Sequence, residues 1–595
     1  MCGICGEISF NGTDSLSLPS LQQMVDKMAS RGPDASGMKI QDNVALGHRR
    51  LKIIDLSDCA EQPMTDAHLG LTIVYNGAVY NYKELRDELS GMGYTFFSKG
   101  DTEVILKAYH AWGKDCVRRF NGMFAFAILE RDTKRVVIGR DRLGIKPLYY
   151  VKTARNFRFS SSLPSLLSGN DISHDIDPVS LHYYLTFHSV IPSPFTILKS
   201  VRKLPPAHTL TINPDGSYEL SKFWDLDFKK HPEEQTYSFE DWAYCLKHAL
   251  KESIQKRLTA DVPVGVLLSG GLDSSLIVGL LKDAGIDSEK LNTFSIGFES
   301  VDDENGNEFR YSDLIAEHFD TVHHKINIGS TLLLSNMDAC IRAMSEPMSS
   351  HDCIGFYLLS QSVSKVVKVV QSGQGADEVF GGYHWHPPMM VSENVFADYQ
   401  KYFFDCTFDA YKKTITPDYL DQDFSAAFVS DYFNQPGAPK RPIDKVLDMD
   451  TRIMLVDDPV KRVDNMTMAW GLEARVPFLD HELVELAARI PSEYKVSHGG
   501  KYILKEIARH VIPEAVIDRP KGYFPVPVLK YFRGRYFDFV KEILTDDTVK
   551  KRGLFSPKYV EAVIKNPDDH ITPLRGARLW QMAVLEYWLS VNAIS

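Results

Sequence analysis

Cys2 is the first residue whose position gives it a chemical option. A cysteine at position 2 followed by glycine is a site from which the initiator Met is normally removed, leaving Cys2 with a free α-amine. An unperturbed terminal α-amine has a pKa near ~8, so one residue then carries both nucleophile and base. The plainer alternative is a small buried cysteine. The spacing Cys2-x-x-Cys5 also admits a redox pair or half a zinc site, but no second Cys/His pair follows at zinc spacing.

A second constellation lies at 264–275, where the short apolar run Val264-Gly265-Val266-Leu267-Leu268 enters Ser269-Gly270-Gly271-Leu272-Asp273-Ser274-Ser275. Glycines let a backbone approach phosphate oxygens, successive N–H groups at a helix start favour anions, and serine hydroxyls add donors. Gly-x-x-x-x-Gly-Lys-Ser/Thr is absent, so this is not a Walker A loop. In a doubly wound parallel sheet, ligands bind outside the carboxyl ends of the strands. Two further strand ends are therefore expected beside the loop: 293–298, and 368–371, which runs into Ser372-Gly373-Gln374-Gly375-Ala376-Asp377. The carboxylates of Asp273 and Asp377 are the kind of oxygen donor that Mg²⁺ takes beside phosphates.

The elements that must position these groups are legible in outline. Alternating stretches at 71–75, 124–129 and 135–139 suit half-buried strands, and 83–91 suits an amphipathic helix. Residues 192–234 combine Lys203-Leu204-Pro205-Pro206-Ala207, the turn Asn213-Pro214-Asp215-Gly216 and a charged stretch, a mix that marks a boundary. A helical pattern resumes at 239. The expected organisation is a first domain over 2–190, a linker over 191–235 and a second domain over 236–595.

A chain of 595 residues exceeds one core. With 44% hydrophobic and 24% charged residues it is an ordinary folded composition. The net charge of −11 and the lack of a Lys/Arg block argue against a nucleic-acid partner. Eight irregularly spaced cysteines suit a reducing compartment, and no apolar run reaches the ~18–20 residues that span a bilayer. The expectation is a cytoplasmic protein without a membrane partner.

The ordered blocks Arg31-Gly32-Pro33-Asp34, Gly47-His48-Arg49-Arg50-Leu51, Tyr75-Asn76-Gly77, Gly100-Asp101-Thr102-Glu103, Asn121-Gly122-Met123-Phe124-Ala125 and Gly139-Arg140-Asp141-Arg142-Leu143-Gly144 together resemble the class II glutamine amidotransferase domain. That resemblance implies an N-terminal-nucleophile (Ntn) hydrolase αββα sandwich in which Cys2 attacks the side-chain amide of glutamine. It assigns Asn76 and Gly77 to the oxyanion hole, Arg50 and Asp101 to the α-carboxylate and α-ammonium, and Ile54 to the pocket lining. A Glu often follows the family's Asn-Gly, and here the residue is Ala78.

The order Ser-Gly-Gly-x-Asp-Ser at 269–274 resembles the pyrophosphate loop of the ATP pyrophosphatases. With Gly471-Leu472-Glu473-Ala474-Arg475-Val476-Pro477-Phe478-Leu479-Asp480 and Gly499-Gly500-Lys501-Tyr502, the second half resembles the synthetase domain of the asparagine synthetase family. This implies an α/β doubly wound domain using ATP and Mg²⁺. Leu268, Ser269, Gly270, Gly271, Asp273, Ser274, Ser275, Ile296, Ser372 and Gly373 would meet the nucleotide, Asp273 and Asp377 the metal, and Lys501 the phosphate charge in the transition state. The implied reaction moves ammonia from glutamine past 140–149 to an acyl-AMP, yielding an amide, AMP and pyrophosphate.

One departure bears on the acceptor. The family's Ser-Gly-Glu-Gly reads Ser372-Gly373-Gln374-Gly375, and the segment after Glu346-Pro347 reads Met348-Ser349-Ser350-His351-Asp352. Aspartate carries an ammonium and a second carboxylate that a buried site must pair, whereas neutral Gln374 suits an acceptor without a free ammonium. With His351 and Asp352 as the other acceptor residues, the chain is most similar to the N-acetylglutaminylglutamine amidotransferase branch, which makes a neutral osmoprotectant amide. Asparagine synthesis from aspartate is the alternative. An ATP-dependent tRNA-modifying enzyme and an inactive glutamine-sensing scaffold are the other classes, and a homodimer is compatible with the resemblance.

Overall fold

The computed structural model describes residues 2–10, 16–168, 172–287, 290–299, 306–307, 309–519 and 533–594. No helix among them is long and apolar enough to cross a membrane.

The first half is built on β1 (Gly3–Ser9), β2 (Ala35–Gln41), β3 (Val44–Arg50), β4 (Met64–Asp66), β5 (Leu71–Val79), β6 (Gly122–Glu130), β7 (Val136–Arg140), β8 (Tyr149–Lys152), β9 (Asn156–Ser160), β10 (Val201–Lys203), β11 (His208–Ile212) and β12 (Tyr218–Lys222). They form two six-stranded antiparallel sheets, ordered β10-β8-β9-β1-β3-β2 and β12-β11-β7-β6-β5-β4. Period-two alternation decides which side chains go where. On β6, Ala125, Ala127 and Leu129 face the first sheet, packing with Ile4, Ile8, Val44 and Leu46. Phe124, Phe126 and Ile128 face the helices Tyr82–Gly91 and Asp101–Trp112. Helix Leu18–Lys27 covers the other outer face through Leu21, Met24 and Val25 against Cys5 and Ala45. The layers are helix, sheet, sheet, helix, the αββα sandwich that the resemblance implied.

The stretch expected as a linker is largely part of this sandwich. β10 pairs with β8, β11 pairs with β7, and β12 pairs with β11. Leu204, Leu210 and Ile212 are buried in the core between the sheets, which offsets the breaker chemistry around them. Pro205-Pro206 lies between β10 and β11, and Gly216, at φ 82°, closes the β11–β12 hairpin. The prolines and glycine punctuate strands here instead of separating domains.

The second half is a parallel sheet of β13 (Val264–Leu267), β14 (Asn292–Phe298), β15 (Val322–Ile328), β16 (Val369–Gln371) and β17 (Glu473–Arg475), ordered β15-β14-β13-β16-β17. Helix Leu272–Asp283 packs in one apolar cluster and helix Asp352–Val363 in another, so both faces are covered and the sheet is doubly wound. The order in which strands are added reverses between β13 and β16. The crevice beyond their carboxyl ends is the position at which this topology binds ligands. Helix Phe239–Lys256 opens on a capping box formed by Ser238 and Asp241, matching the expected start.

Candidate active sites

A cavity of about 420 Å³ opens at the switch point. Leu268, Ser269, Gly271, Asp273, Ser274, Ile296, Ser372 and Gly373 line it. Gly270 and Ser275 support the loop from outside that lining. At φ 71°, Gly270 lets the chain turn where a Cβ would approach the Ser312 amide to 2.6 Å. Ser269 and Ser274 tie the loop together, with Ser274 Oγ accepting from the Ser269 amide at 3.2 Å. The following helix has no side-chain cap, so its first N–H groups are left for an anion.

Lys501 reaches the cavity from the far side and forms ion pairs with Asp273 at 2.7 Å and Asp377 at 2.8 Å. Two glycine pairs make that approach feasible. A Cβ on Gly500 would come within 2.3 Å of the Gly381 carbonyl, and one on Gly382 within 2.2 Å of Lys501 Cε. Burial disfavours the Lys501 ammonium, but the two carboxylates outweigh it and hold its pKa above the ordinary value. Asp273 and Asp377 thus converge on one point. As hard oxygen donors beside a phosphate loop they fit a Mg²⁺ ion, although no cluster of three or more such ligands occurs among the described residues.

The acceptor residues separate. Gln374 and Asp352 line the cavity; His351 does not, and its ring lies 6.1 Å from that of Trp580. His351 immediately precedes helix Asp352–Val363, so adjacent side chains leave in different directions and only Asp352 faces the cavity. Burial and then His188 lower the His351 pKa to about 4, which makes it a neutral packing group at neutral pH. The spacing missed Arg462, which lines the cavity 3.3 Å from Asp458 and 3.8 Å from Asp352. Nothing in the spacing around it suggests a role. None of residues 391–444 reaches the cavity; they form helices such as Val395–Phe403 and Phe424–Asn434 that pack into the large apolar cluster.

The other site lies at the end of the sandwich, where β1 and β5 bring Cys2 and Asn76 together across the two sheets. The Cys2 backbone N–H donates to Asn76 Oδ1 at 2.9 Å, and the buried Asn76 Nδ2 has no partner. Gly77 is required because a Cβ would sit 2.1 Å from the Met123 carbonyl of β6. Cys2, Arg50, Ile54, Gly77 and Asp101 line one small pocket. Asp101 accepts from the Tyr75 hydroxyl at 2.9 Å and the Val79 amide at 3.0 Å, while burial raises its pKa. Burial likewise pushes the Cys2 thiol up, with the Leu51 amide and Arg50 pulling against it. A thiol raised in this way needs a base at hand to become a nucleophile.

Reading the sequence placed nothing from the second half in this pocket, yet Glu473 and Arg475 of β17 line it. Arg31 also crosses between the halves, donating to the Cys2 carbonyl at 3.2 Å and to Asp464 at 2.9 Å. A smaller cavity lies on the same boundary, with Arg140, Gly144 and Tyr149 on one side and Asp457, Lys461 and Asp464 on the other.

An Ntn-type sandwich with a buried Cys2, joined to a doubly wound sheet with a Ser-Gly-Gly loop at its switch point, fits a two-site enzyme of the glutamine amidotransferase class. The family model described as Glutamine amidotransferase domain matches residues 1–224, and the one described as Asparagine synthase matches 245–590. The chain belongs to the asparagine synthase family. Asparagine synthetase [glutamine-hydrolyzing] 1 of Bacillus subtilis (strain 168) is 30% identical to it, over 96% of this chain and 93% of the relative. Putative asparagine synthetase [glutamine-hydrolyzing] 2 of Methanocaldococcus jannaschii is 37% identical over 65% of this chain and 76% of the relative. Amidase chry2 of Gibberella zeae is 25% identical over 93% of each. Relatives that share the whole architecture thus carry different activity names.

Proposed function

We propose that this chain is an ATP-dependent carbon–nitrogen ligase that takes its nitrogen from glutamine, with its halves dividing between residues 224 and 238. The observation that carries the reading is the pairing of two built sites: Cys2 beside the unpartnered Asn76 Nδ2, and Lys501 between Asp273 and Asp377 at the phosphate loop. With Met1 removed, the Cys2 α-amine takes the thiol proton and the thiolate attacks the glutamine amide carbon. Asn76 Nδ2 and the Gly77 N–H stabilise the oxyanion, ammonia leaves with the proton the α-amine returns, and water then hydrolyses the γ-glutamyl thioester to give glutamate and free Cys2. In the other half a carboxylate oxygen attacks the α-phosphorus of ATP and pyrophosphate departs. Ammonia then displaces AMP from the acyl carbon. Asp273 and Asp377 would hold Mg²⁺, which supplies charge neutralisation on the phosphates. Asn76→Ala should lower glutamine hydrolysis by ~10²–10³ with the synthetase reaction on free ammonia intact, read by parallel assays of glutamate and pyrophosphate.

The acceptor we propose is the C-terminal carboxylate of N-acetylglutaminylglutamine, giving the osmoprotectant amide in the cytoplasm. Neutral Gln374 in the cavity wall supports an acceptor without an ammonium, and burial pushes the Asp352 carboxyl up, which weakens it as an ammonium partner. A second reading, aspartate, is favoured by the Asp352 carboxyl and the Arg462 guanidinium lying 3.8 Å apart in that wall. Pyrophosphate release from ATP, Mg²⁺ and glutamine decides between them. The dipeptide should give a kcat/KM at least tenfold above that for aspartate, and the reverse order would establish aspartate as the acceptor.

A further inference from the structure

Four cationic side chains among the described residues line the 420 Å³ cavity: Arg462, Lys501, Lys505 and Arg519. Arg462 belongs to the acceptor wall, and Lys501 lies between Asp273 and Asp377. Lys505 follows Lys501 by one turn of helix Tyr502–Ala508, and its Nζ donates to the His498 carbonyl at 2.9 Å. Arg519 enters from beyond the next helix, Glu514–Ile517.

Arg519 lies against the phosphate loop itself. A Cβ on Gly271 would stand 3.6 Å from its Nη2, so the guanidinium is in contact range of the Ser269–Gly271 turn. The Tyr311 ring supports it, with the guanidinium carbon 4.3 Å from the ring centre. Tyr311 is fixed against the same loop, since a Cβ on Gly270 would come within 2.7 Å of Tyr311 Cβ. Stacking on a ring engages the face of a guanidinium, whereas its N–H donors lie at the edge, in the planar fork that grips two phosphate oxygens.

The acceptor stands on the other side of this loop. Gln374 follows β16, whereas Tyr311 belongs to helix Phe309–Phe319 between β14 and β15, and β16 and β14 flank β13 on opposite sides. In an in-line displacement the attacking and leaving oxygens lie on opposite sides of the phosphorus. As the acceptor oxygen bonds to the α-phosphorus, the bond from that phosphorus to the bridging oxygen breaks and its electron pair leaves on pyrophosphate. Lys501 is shared with two carboxylates, so the charge that develops on the leaving group calls for a further fixed donor.

We infer that Arg519 grips the β- and γ-phosphates of ATP and then the departing pyrophosphate, with Lys505 adding positive charge, while the remaining cavity holds AMP. This rests on the ligase reading given above.

The test is calorimetric binding to the full-length enzyme without turnover, with pyrophosphate and AMP as separate probes, each with Mg²⁺. Arg519→Gln should weaken pyrophosphate binding by about tenfold or more and AMP binding by less than about twofold. Arg519→Lys should recover at most part of the loss, because one ammonium lacks the fork; full recovery overturns the bidentate grip. Equal weakening of both ligands indicates a structural role and overturns the inference, as does no weakening of pyrophosphate. If Arg519→Gln does not fold, modification of Arg519 by phenylglyoxal in the unmodified enzyme, located by mass, decides. Pyrophosphate with Mg²⁺ should slow it several-fold and AMP should not; equal protection by both, or none, overturns the inference. An unmodified enzyme that releases no pyrophosphate from ATP with any acceptor would defeat the ligase reading, an outcome read separately from the contrast between the two ligands.

Discussion

Cys2→Ala should abolish glutamine-dependent amide formation, by on the order of 10⁴-fold or more, and leave synthesis from free ammonia in place. No other side chain in the pocket can replace the thiol. Its lining otherwise offers guanidinium groups, carboxylates, the Gln62 amide and the hydroxyls of Tyr75 and Thr102, which are engaged with Asp101 and Gln62, and the second cysteine, Cys5, is fully buried within β1 with its thiol pushed far up by burial. The ligase cavity lies in the other half and uses none of these groups. Ammonia-dependent synthesis by the variant should rise with pH, because ammonium must lose a proton to act as a nucleophile. The checking measurement is amide product by mass, with glutamine or ammonium chloride as nitrogen source. Loss of both activities in a folded variant would contradict the division of labour between two sites.

Lys501→Ala should lower synthesis with either nitrogen source by ~10³-fold and leave glutamine hydrolysis within severalfold of normal. The ammonium lies between Asp273 and Asp377 at the mouth of the phosphate loop, so its loss leaves two carboxylates facing each other and incoming phosphates without that cation. Breaking a fully buried pair costs about 3–5 kcal/mol. Here the carboxylates are about a fifth exposed, so about 1–3 kcal/mol is expected, read as a lower Tm. Lys501→Arg should not rescue activity. Gly382 already packs against Lys501 Cε, and a planar fork has no room to turn between the two oxygens. Pyrophosphate release with ammonia as donor, set against glutamate release from glutamine, separates the two effects. Equal losses in both assays would show that Lys501 acts on the whole fold.

Much of the ligase site was legible because it is local. Ser269–Gly270–Gly271 and Asp273–Ser274 form one turn and one helix start, and eight of the ten residues expected at the nucleotide line one cavity. The strands at 71–75 and 124–129 were legible for the same reason, since alternation is written into five or six consecutive residues. Residues 201–222 misled because prolines, glycine and charge have the same composition in a linker as at the edges of strands. Only the burial of Leu204, Leu210 and Ile212 separates the two cases. His351 misled because proximity in sequence to Asp352 says nothing about direction once a helix starts between them.

The sequence by itself determined the chemical groups available to this protein: a cysteine at position 2, an Asn-Gly pair, a Ser-Gly-Gly loop, two carboxylates and a lysine after two glycines. Each is a short pattern whose residue types are dictated by local backbone geometry. The tertiary structure alone decided how the two chemistries meet. β17 is a three-residue edge strand with no periodicity of its own, and its register against β16 places the Arg475 carbonyl on Ser372. Its side chain reaches a pocket formed by Cys2 and Arg50, more than four hundred positions earlier in the chain. Such a contact depends on how two independently patterned halves pack, through Arg31 to Asp464 and Tyr80 beneath two guanidinium groups, and no local rule of spacing carries that information.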